Sequence, residues 1–349
     1  MVTGAMSGTV ALPLSRPLLT QGPPSPAEGE GSGALHRLPK IPFSANRLEL
    51  PMTRILAALL ASALLAGQAE ARDAAHEHTV AVAPQYDTTH VYVAPEDVDR
   101  FVASFTATFG GASTKQVVAT VTPTPSSTTS QLIQTPVGTV SLFGFKTPIP
   151  YPFGAERTGY LVADMDAAVA AARAAGAAVI VQTFPDPIGR DAVIQWPGGV
   201  NMQLYWHTTK PDYAPFATVP ENRVYVSPDS VEAFVGGFRR FSQGRIVSDE
   251  PKAPGVEIGR PGDTYRRLRL TSEFGRLTVL VTDGHLPYPY GHETTGYEVA
   301  DLADTLAKAQ ASGASVLVAP YSAGDRKAAM VRFPGGYVAE IHASGAAAQ

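Results

Sequence analysis

The 349 residues include no cysteine. That excludes disulfides, thiolate metal ligands and cysteine nucleophiles, and leaves the compartment open. Excess charge is also lacking: 27 Lys and Arg stand against 31 Asp and Glu, a net charge of −4. No Lys/Arg block is present, so there is no general electrostatic drive toward nucleic acid. The densest basic run is Arg266-Arg267-Leu268-Arg269. Strand alternation would split it between two faces, and it reads as a solvated or salt-bridged surface. Nucleophile elbow, phosphate loop and dinucleotide fingerprint are all missing. What remains is an ordinary globular composition, 44% apolar, long enough for about two domains.

The N-terminal region divides sharply. Residues 1–51 are rich in Gly, Pro and Ser without apolar periodicity and read as disordered, or as an over-extended gene model. Met52 opens a different pattern: Arg54, an unbroken apolar and small-residue run from Ile55 to Gly67, then Ala69-Glu70-Ala71. That is the form of a secretory signal peptide over 52–71, too short for a comfortable membrane span. It implies translation from Met52 and a periplasmic or secreted product with no membrane span after cleavage. A buried helix in a cytosolic protein is the rival reading. Residues 72–85, with His76-Glu77-His78, read as a flexible tail.

The rest of the chain is a repeat. Pro150-Tyr151-Pro152-Phe153-Gly154 recurs as Pro287-Tyr288-Pro289-Tyr290-Gly291, and Pro197-Gly198-Gly199 as Pro334-Gly335-Gly336, both 137 positions on. Upstream the offset is 133, taking Val91-Tyr92-Val93 to Val224-Tyr225-Val226 and Gly111 to Gly244. Thr88 to Ala94 reads as a strand and Pro95 to Phe109 as a helix stopped at Gly110-Gly111. Three β-branched stretches follow, near 115–122, 128–135 and 138–146. A second cycle starts at Gly159. Asp164 caps an Ala-rich helix whose Met165, Val169 and Ala172 share one face. Strands follow at 178–183, 190–196 and 200–206. The pattern is β-α-β-β-β four times over. It predicts an α+β fold with one domain over 86–207, a linker over 208–220, a second domain over 221–343 and a tail over 344–349.

This arrangement resembles the vicinal oxygen chelate superfamily, the glyoxalase/bleomycin-resistance/extradiol-dioxygenase group. The resemblance rests on His90 in the first strand, Val-Ala-Asp-Met-Asp-Ala-Ala at 162–168, and the endings Trp-Pro-Gly-Gly-Val-Asn-Met-Gln-Leu-Tyr (196–205) and Phe-Pro-Gly-Gly-Tyr-Val-Ala-Glu-Ile-His (333–342). It implies two tandem domains, each of paired modules curled around a cleft, with any metal ligands on the first, fourth, fifth and eighth strands.

Mapped on that pattern, the first copy supplies His90, Gln203 where the family has glutamate, and Arg157 or its neighbour Glu156. The second supplies Glu340, with Arg223 in place of His90 and His292, Glu293 and His342 nearby. A divalent ion held by His90, Gln203 or Glu340 is therefore an expectation with incomplete ligand sets, and an Arg223–Glu340 ion pair is the alternative in copy two. His90, Glu156, Gln203 and Glu340 are the candidate catalytic residues. Tyr151, Arg157, Tyr205, Arg223, Tyr288, His292 and His342 are the candidate substrate contacts. Three functions stay open. The first is an exported glyoxalase-like lyase, isomerase or dioxygenase acting on a small oxygenated metabolite. The second is a metal-free small-molecule binding protein, and the third a structural role. Four modules suffice for two clefts in a monomer; a homodimer is the alternative.

Overall fold

The computed structural model describes residues 79–345. The expected signal segment at 52–71, residues 1–51 and the His76-Glu77-His78 tail lie outside the described residues.

Each repeat folds into one mixed sheet. In the first copy the strands are β1 (Thr88–Val93), β2 (Ala112–Ser113), β3 (Val117–Ala119), β4 (Thr128–Thr135), β5 (Gly138–Phe145), β6 (Thr158–Leu161), β7 (Ala178–Asp186), β8 (Gly189–Gln195) and β9 (Asn201–His207). Their order is β2-β4-β5-β1-β6-β9-β8-β7, with β3 also on β4. In the second copy they are β10 (Glu221–Val226), β11 (Arg245–Pro254), β12 (Thr264–Ser272), β13 (Gly275–Val281), β14 (Thr294–Glu298), β15 (Ser315–Ala323), β16 (Arg326–Arg332) and β17 (Val338–Ser344). The order is the same: β11-β12-β13-β10-β14-β17-β16-β15.

The two modules of each copy meet at a central seam. There β1 runs antiparallel to β6, with Thr88 opposite Gly159, and β6 runs parallel to β9, with Gly159 opposite Gln203. In the second copy Glu221 lies opposite Gly296, and Gly296 opposite Glu340. Directly paired residues project to the same face of a sheet. The seam therefore lines up first-strand and last-strand side chains on one face.

Among the described residues four α-helices cover the opposite faces: α1 (Val98–Phe109), α2 (Met165–Ala174), α3 (Val231–Ser242) and α4 (Leu302–Ala311). Asp164 accepts a bond from Ala167 N at 2.8 Å and Asp301 one from Asp304 N at 3.0 Å, so α2 and α4 start at side-chain caps. The helices pack across the repeat, α1 on α4 and α2 on α3. One apolar core joins Phe101, Phe105 and Leu142 to Tyr297, Phe333 and Ile341. Another joins Tyr160, Met165 and Trp196 to Phe234, Phe238 and Leu277. Each core is thus built from one module of each copy. Every fully buried Phe stabilises by about 1.5–3 kcal/mol, so the copies hold each other together.

The repeated Pro-Gly-Gly turns serve that junction. Gly198 and Gly335 have φ of 86° and 82°. A Cβ on Gly198 would lie 2.9 Å from Val226, and one on Gly335 2.5 Å from Val93. Each turn sits against the first strand of the other copy, where only glycine fits.

Two expectations need correction. Residues 79–85, read as part of a flexible tail, pack on the first sheet: Ala81 bridges to Val162, and Val82 N donates to Leu161 O at 3.1 Å. Arg267, read as a surface arginine, is buried. Its charge is neutralised inside the second sheet, as described below.

Candidate functional site

The cleft face of the first sheet opens into a cavity of about 410 Å³ lined by His90, Tyr92, Phe143, Phe153, Gln203 and Tyr205, among others. Strand alternation places His90 and Tyr92 here from β1, and Gln203 and Tyr205 from β9. Val117 of β3 and Ile188 at the β7–β8 turn line it too and stay exposed, at 55% and 57%. Tyr213, from the segment joining the copies, completes one wall and packs against Tyr86, the rings tilted by 36° with centroids 5.6 Å apart. Much of the wall is aromatic and aliphatic; His90 and Gln203 stand at the seam, and Lys115, Gln131 and Asp186 add polar groups toward the sheet edges.

His90 is held from two sides. Its ring packs edge-on against Phe143, centroids 5.5 Å apart. Its Nδ1 faces Glu156 Oε1 at 3.4 Å, and the Tyr92 hydroxyl donates to the same oxygen. Nε2 lies over Gly159, where a Cβ would meet it at 2.3 Å. The missing side chain at 159 is what makes room for the imidazole. Burial, then the Glu156 carboxylate, pushes the Tyr92 phenol well above its ordinary value, so its proton stays on. Gln203 Nε2 donates to the buried Asp191 at 2.9 Å. Burial holds Asp191 well above the usual carboxylate range, assisted by Asp186 and opposed by the Gln203 bond. His207, half-buried beside Tyr205, has its pKa lowered by desolvation.

His90, Glu156 and Gln203 do not form a common ligand set for one divalent ion. Glu156 binds the Nδ1 side of the imidazole, whereas Gly159 and its partner Gln203 lie on the Nε2 side. The two nitrogens point apart, so one ion cannot take His90, Glu156 and Gln203 together. Among the described residues no group of three His, Asp or Glu side chains could hold a metal. In this structure His90 and Gln203, expected as metal ligands, are each engaged by a carboxyl group instead: His90 Nδ1 faces Glu156 and Gln203 Nε2 donates to Asp191.

The second cleft is filled by charge. Arg223 Nη1 lies 2.9 Å from Glu340 Oε2 and 2.7 Å from Glu221 Oε1. Arg326 reaches Glu221 at 3.2 Å. The offset between copies grows from 133 to 137 before β13, so this copy carries four extra residues there. They accompany a 3-10 turn, Gly255–Ile258, whose buried Glu257 accepts from Tyr265 at 2.6 Å and pairs with Arg267. The turn reaches across to β15 on the far module. Burial alone would raise Glu340, but Arg223 and His342 hold it down at about 2. Glu221 is likewise well below its ordinary value, because Arg326 and Arg223 overcome its burial. Glu340, expected as a catalytic or metal-holding carboxylate, is instead the partner of a guanidinium. Arg223 and His342, expected as substrate contacts, lie buried with it.

The remaining candidates separate. Tyr205 lines the first cavity, and its hydroxyl donates to Tyr86 O. Tyr151 is 78% exposed and does not line it. Arg157 turns away from Gln203: its Nη1 donates to His90 O at 2.9 Å, and it lies with Tyr288 and His292 in a smaller cavity at the junction of the copies. Sequence reading missed Tyr92, Asp191, Glu221, Glu257 and Arg326. Strand alternation two residues from His90 could have found Tyr92. The others depend on which strands become neighbours.

No family model matches the chain, and no curated protein matches it. Among solved structures it is similar to a triple mutant of 4-hydroxymandelate synthase from Streptomyces coelicolor, at TM-score 0.51 and 12% identity over 78% of this chain and 94% of that one. It is also similar to the Mn(II)-bound glyoxalase from Novosphingobium aromaticivorans, at TM-score 0.46 and 14% identity over 76% of this chain and 83% of that one. Paired βαβββ modules around a cleft define a protein of the vicinal oxygen chelate fold. At such identity the likeness establishes the fold, and the chemistry has to be argued from this chain's own side chains.

Proposed function

We propose that the first cleft binds a small, mostly apolar ring compound bearing a hydroxyl or carbonyl, without a metal, and that the second copy is its structural counterpart. The observation that carries this is the asymmetry of the clefts: one holds a 410 Å³ aromatic cavity with an imidazole at its base, the other an ion-pair network. A few polar groups converging in an apolar cavity of this size suit a small organic ligand. Phe143, Phe153 and Tyr205 supply the faces for a ring. His90 and Gln203 supply hydrogen bonds to its oxygen. The expected signal segment at 52–71 supports binding outside the cytoplasm.

A second reading, proton transfer on that ligand, is favoured by one feature. Glu156 beside Nδ1 favours the tautomer that leaves Nε2 as acceptor. Such an imidazole can take a proton from a ligand carbon or hydroxyl as an isomerase or lyase base would.

The test is a thermal-shift screen of phenols, hydroxy acids and ring ketones against chelator-treated protein, repeated with His90→Ala. A ligand that stabilises the chelated wild type and not the variant supports binding at this site. Recovery of one divalent ion per chain in untreated protein, with ligand stabilisation lost on chelation, would overturn the metal-free reading. Turnover of the hit that disappears in His90→Ala would select the proton-transfer reading.

A further inference from the structure

At the junction of the copies lies a second cavity, of about 170 Å³, lined by Tyr92, Arg157, Tyr288, His292, Glu293 and the 335–338 turn. Arg157 stands out in it. In the second cleft Arg223, Arg267 and Arg326 each meet a carboxylate. Arg157 is half-buried, donates to His90 O at 2.9 Å and lies 5.9 Å over the Tyr337 ring. Among the described residues it makes no ion pair. A guanidinium carries five donors, so most of its hydrogen-bonding capacity remains for the cavity.

The site exists once. The positions 137 away from Arg157 and before His292 are Thr294 and Ala155. The repeat therefore supplies the walls twice and the cation only here, which marks Arg157 as additional to the architecture.

We propose that this cavity binds a small, singly charged carboxylate, with Arg157 as the counter-ion and Tyr288, His292 and Glu293 as hydrogen-bonding neighbours. The planar guanidinium matches a carboxylate in shape. The charge count also fits one negative charge. Burial raises Glu293 to about 8, against the pull of Arg157 and of bonds from Asn222 and Thr158, so its carboxyl is neutral at pH 7. Thr158 Oγ1 lies 3.3 Å from Glu293 Oε1. Partial desolvation and then Arg157 lower His292, which lies exposed at the cavity mouth, and this favours its neutral form. The groups facing Glu293 are Arg157, Glu156, Tyr160, Thr158 and Asn222. Glu156 is turned toward Tyr92 and His90. A neutral Glu293 can donate its proton to the bound carboxylate; an ionised one repels it.

The test is acetate binding to the full chain, by titration calorimetry at fixed ionic strength with chloride as reference. Saturable binding is expected at pH 7, weakened at least about tenfold in Arg157→Gln. Wild-type affinity should fall as pH rises from about 7 to about 9, and Glu293→Gln should remove that fall. Acetate that behaves like chloride, equal affinity in Arg157→Gln, or a flat wild-type pH profile would each overturn the proposal. Should Arg157→Gln fail to fold, the paired pH profiles of wild type and Glu293→Gln still decide.

Discussion

Arg223 Nη1 sits 2.9 Å from Glu340 Oε2, at the seam position where the other copy sets His90 near Gln203. The same two places in the fold thus carry an ion pair in one copy and a cavity-facing imidazole in the other. The two copies share the strand order and differ in what their cleft-facing side chains do. An ion pair neutralises its own members and offers nothing to a ligand, whereas the imidazole keeps one nitrogen for the cavity.

Removing one member of that network should be costly. Arg223→Met leaves Glu340 and Glu221 buried with less compensation, and about 3–5 kcal/mol of stability should go. Pairing it with Glu340→Leu should recover much of the loss. Urea denaturation of the single and double variants measures both, and a single variant as stable as wild type would refute the coupling.

The room above residue 159 is a second point of attack. Gly159→Ala places a methyl group 2.3 Å from His90 Nε2. The imidazole must move, at a cost of about 1–3 kcal/mol, and ring-ligand binding should weaken by about tenfold or more. Calorimetry with the best ligand from the screen reads this directly; unaltered affinity would show that His90 is not a contact.

Acid should unfold the protein through the second cleft. Glu340 is held at about 2 against a usual 4.5. A carboxylate depressed in the fold adds stability that is complete above about 4.5 and lost as pH falls toward about 2. Glu221 adds to the same window. The melting temperature of wild type should drop steeply there, and that of Arg223→Met with Glu340→Leu less so.

Glu293 has the opposite sign. Raised to about 8, it binds a proton more tightly when folded. Its contribution therefore declines as pH rises from about 4.5 to about 8. Melting curves of Glu293→Gln should lack this decline; an identical slope in variant and wild type would show that Glu293 does not titrate so.

The shared cores predict interdependence. A chain cut to residues 86–207 exposes Phe101, Phe105 and Trp196, whose partners Phe333, Tyr297 and Phe238 lie in the other copy. It should not fold cooperatively on its own, and circular dichroism with thermal melting would show it. In the full chain, Phe101→Ala should cost about 3–5 kcal/mol and lower one common transition.

Much of the fold was legible because its signals are local. Asp164 before an Ala-rich stretch, Gly110-Gly111 after Phe109 and the alternation in 128–135 each state a structure within a few residues. The repeat itself located both Pro-Gly-Gly turns. The extent of the tail was misjudged because the partners of Ala81 and Val82, at Val162 and Leu161, are about 80 positions away.

The site was legible only in part. His90, Gln203 and Tyr205 could be placed in one cleft from the family pattern, and Arg223 opposite Glu340 pointed to an ion pair. Arg267 could not be read as buried, because its partner Glu257 arrives on a turn that exists in one copy alone. Arg157 could not be told from a cleft residue, since it lies two residues from Gly159 but before β6 begins, where strand alternation gives no direction.

By itself the sequence determined the duplication, the modules and the absence of thiol chemistry, because these follow from residue identity and short-range geometry. Tertiary structure alone decided that each core is shared between copies, that one cleft is filled and the other open, and that Arg157 faces a cavity with no ion pair among the described residues. Those outcomes depend on which distant side chains meet inside a low-dielectric interior, where pairing or not pairing a charge changes its energy by several kcal/mol. Local sequence carries no record of those meetings.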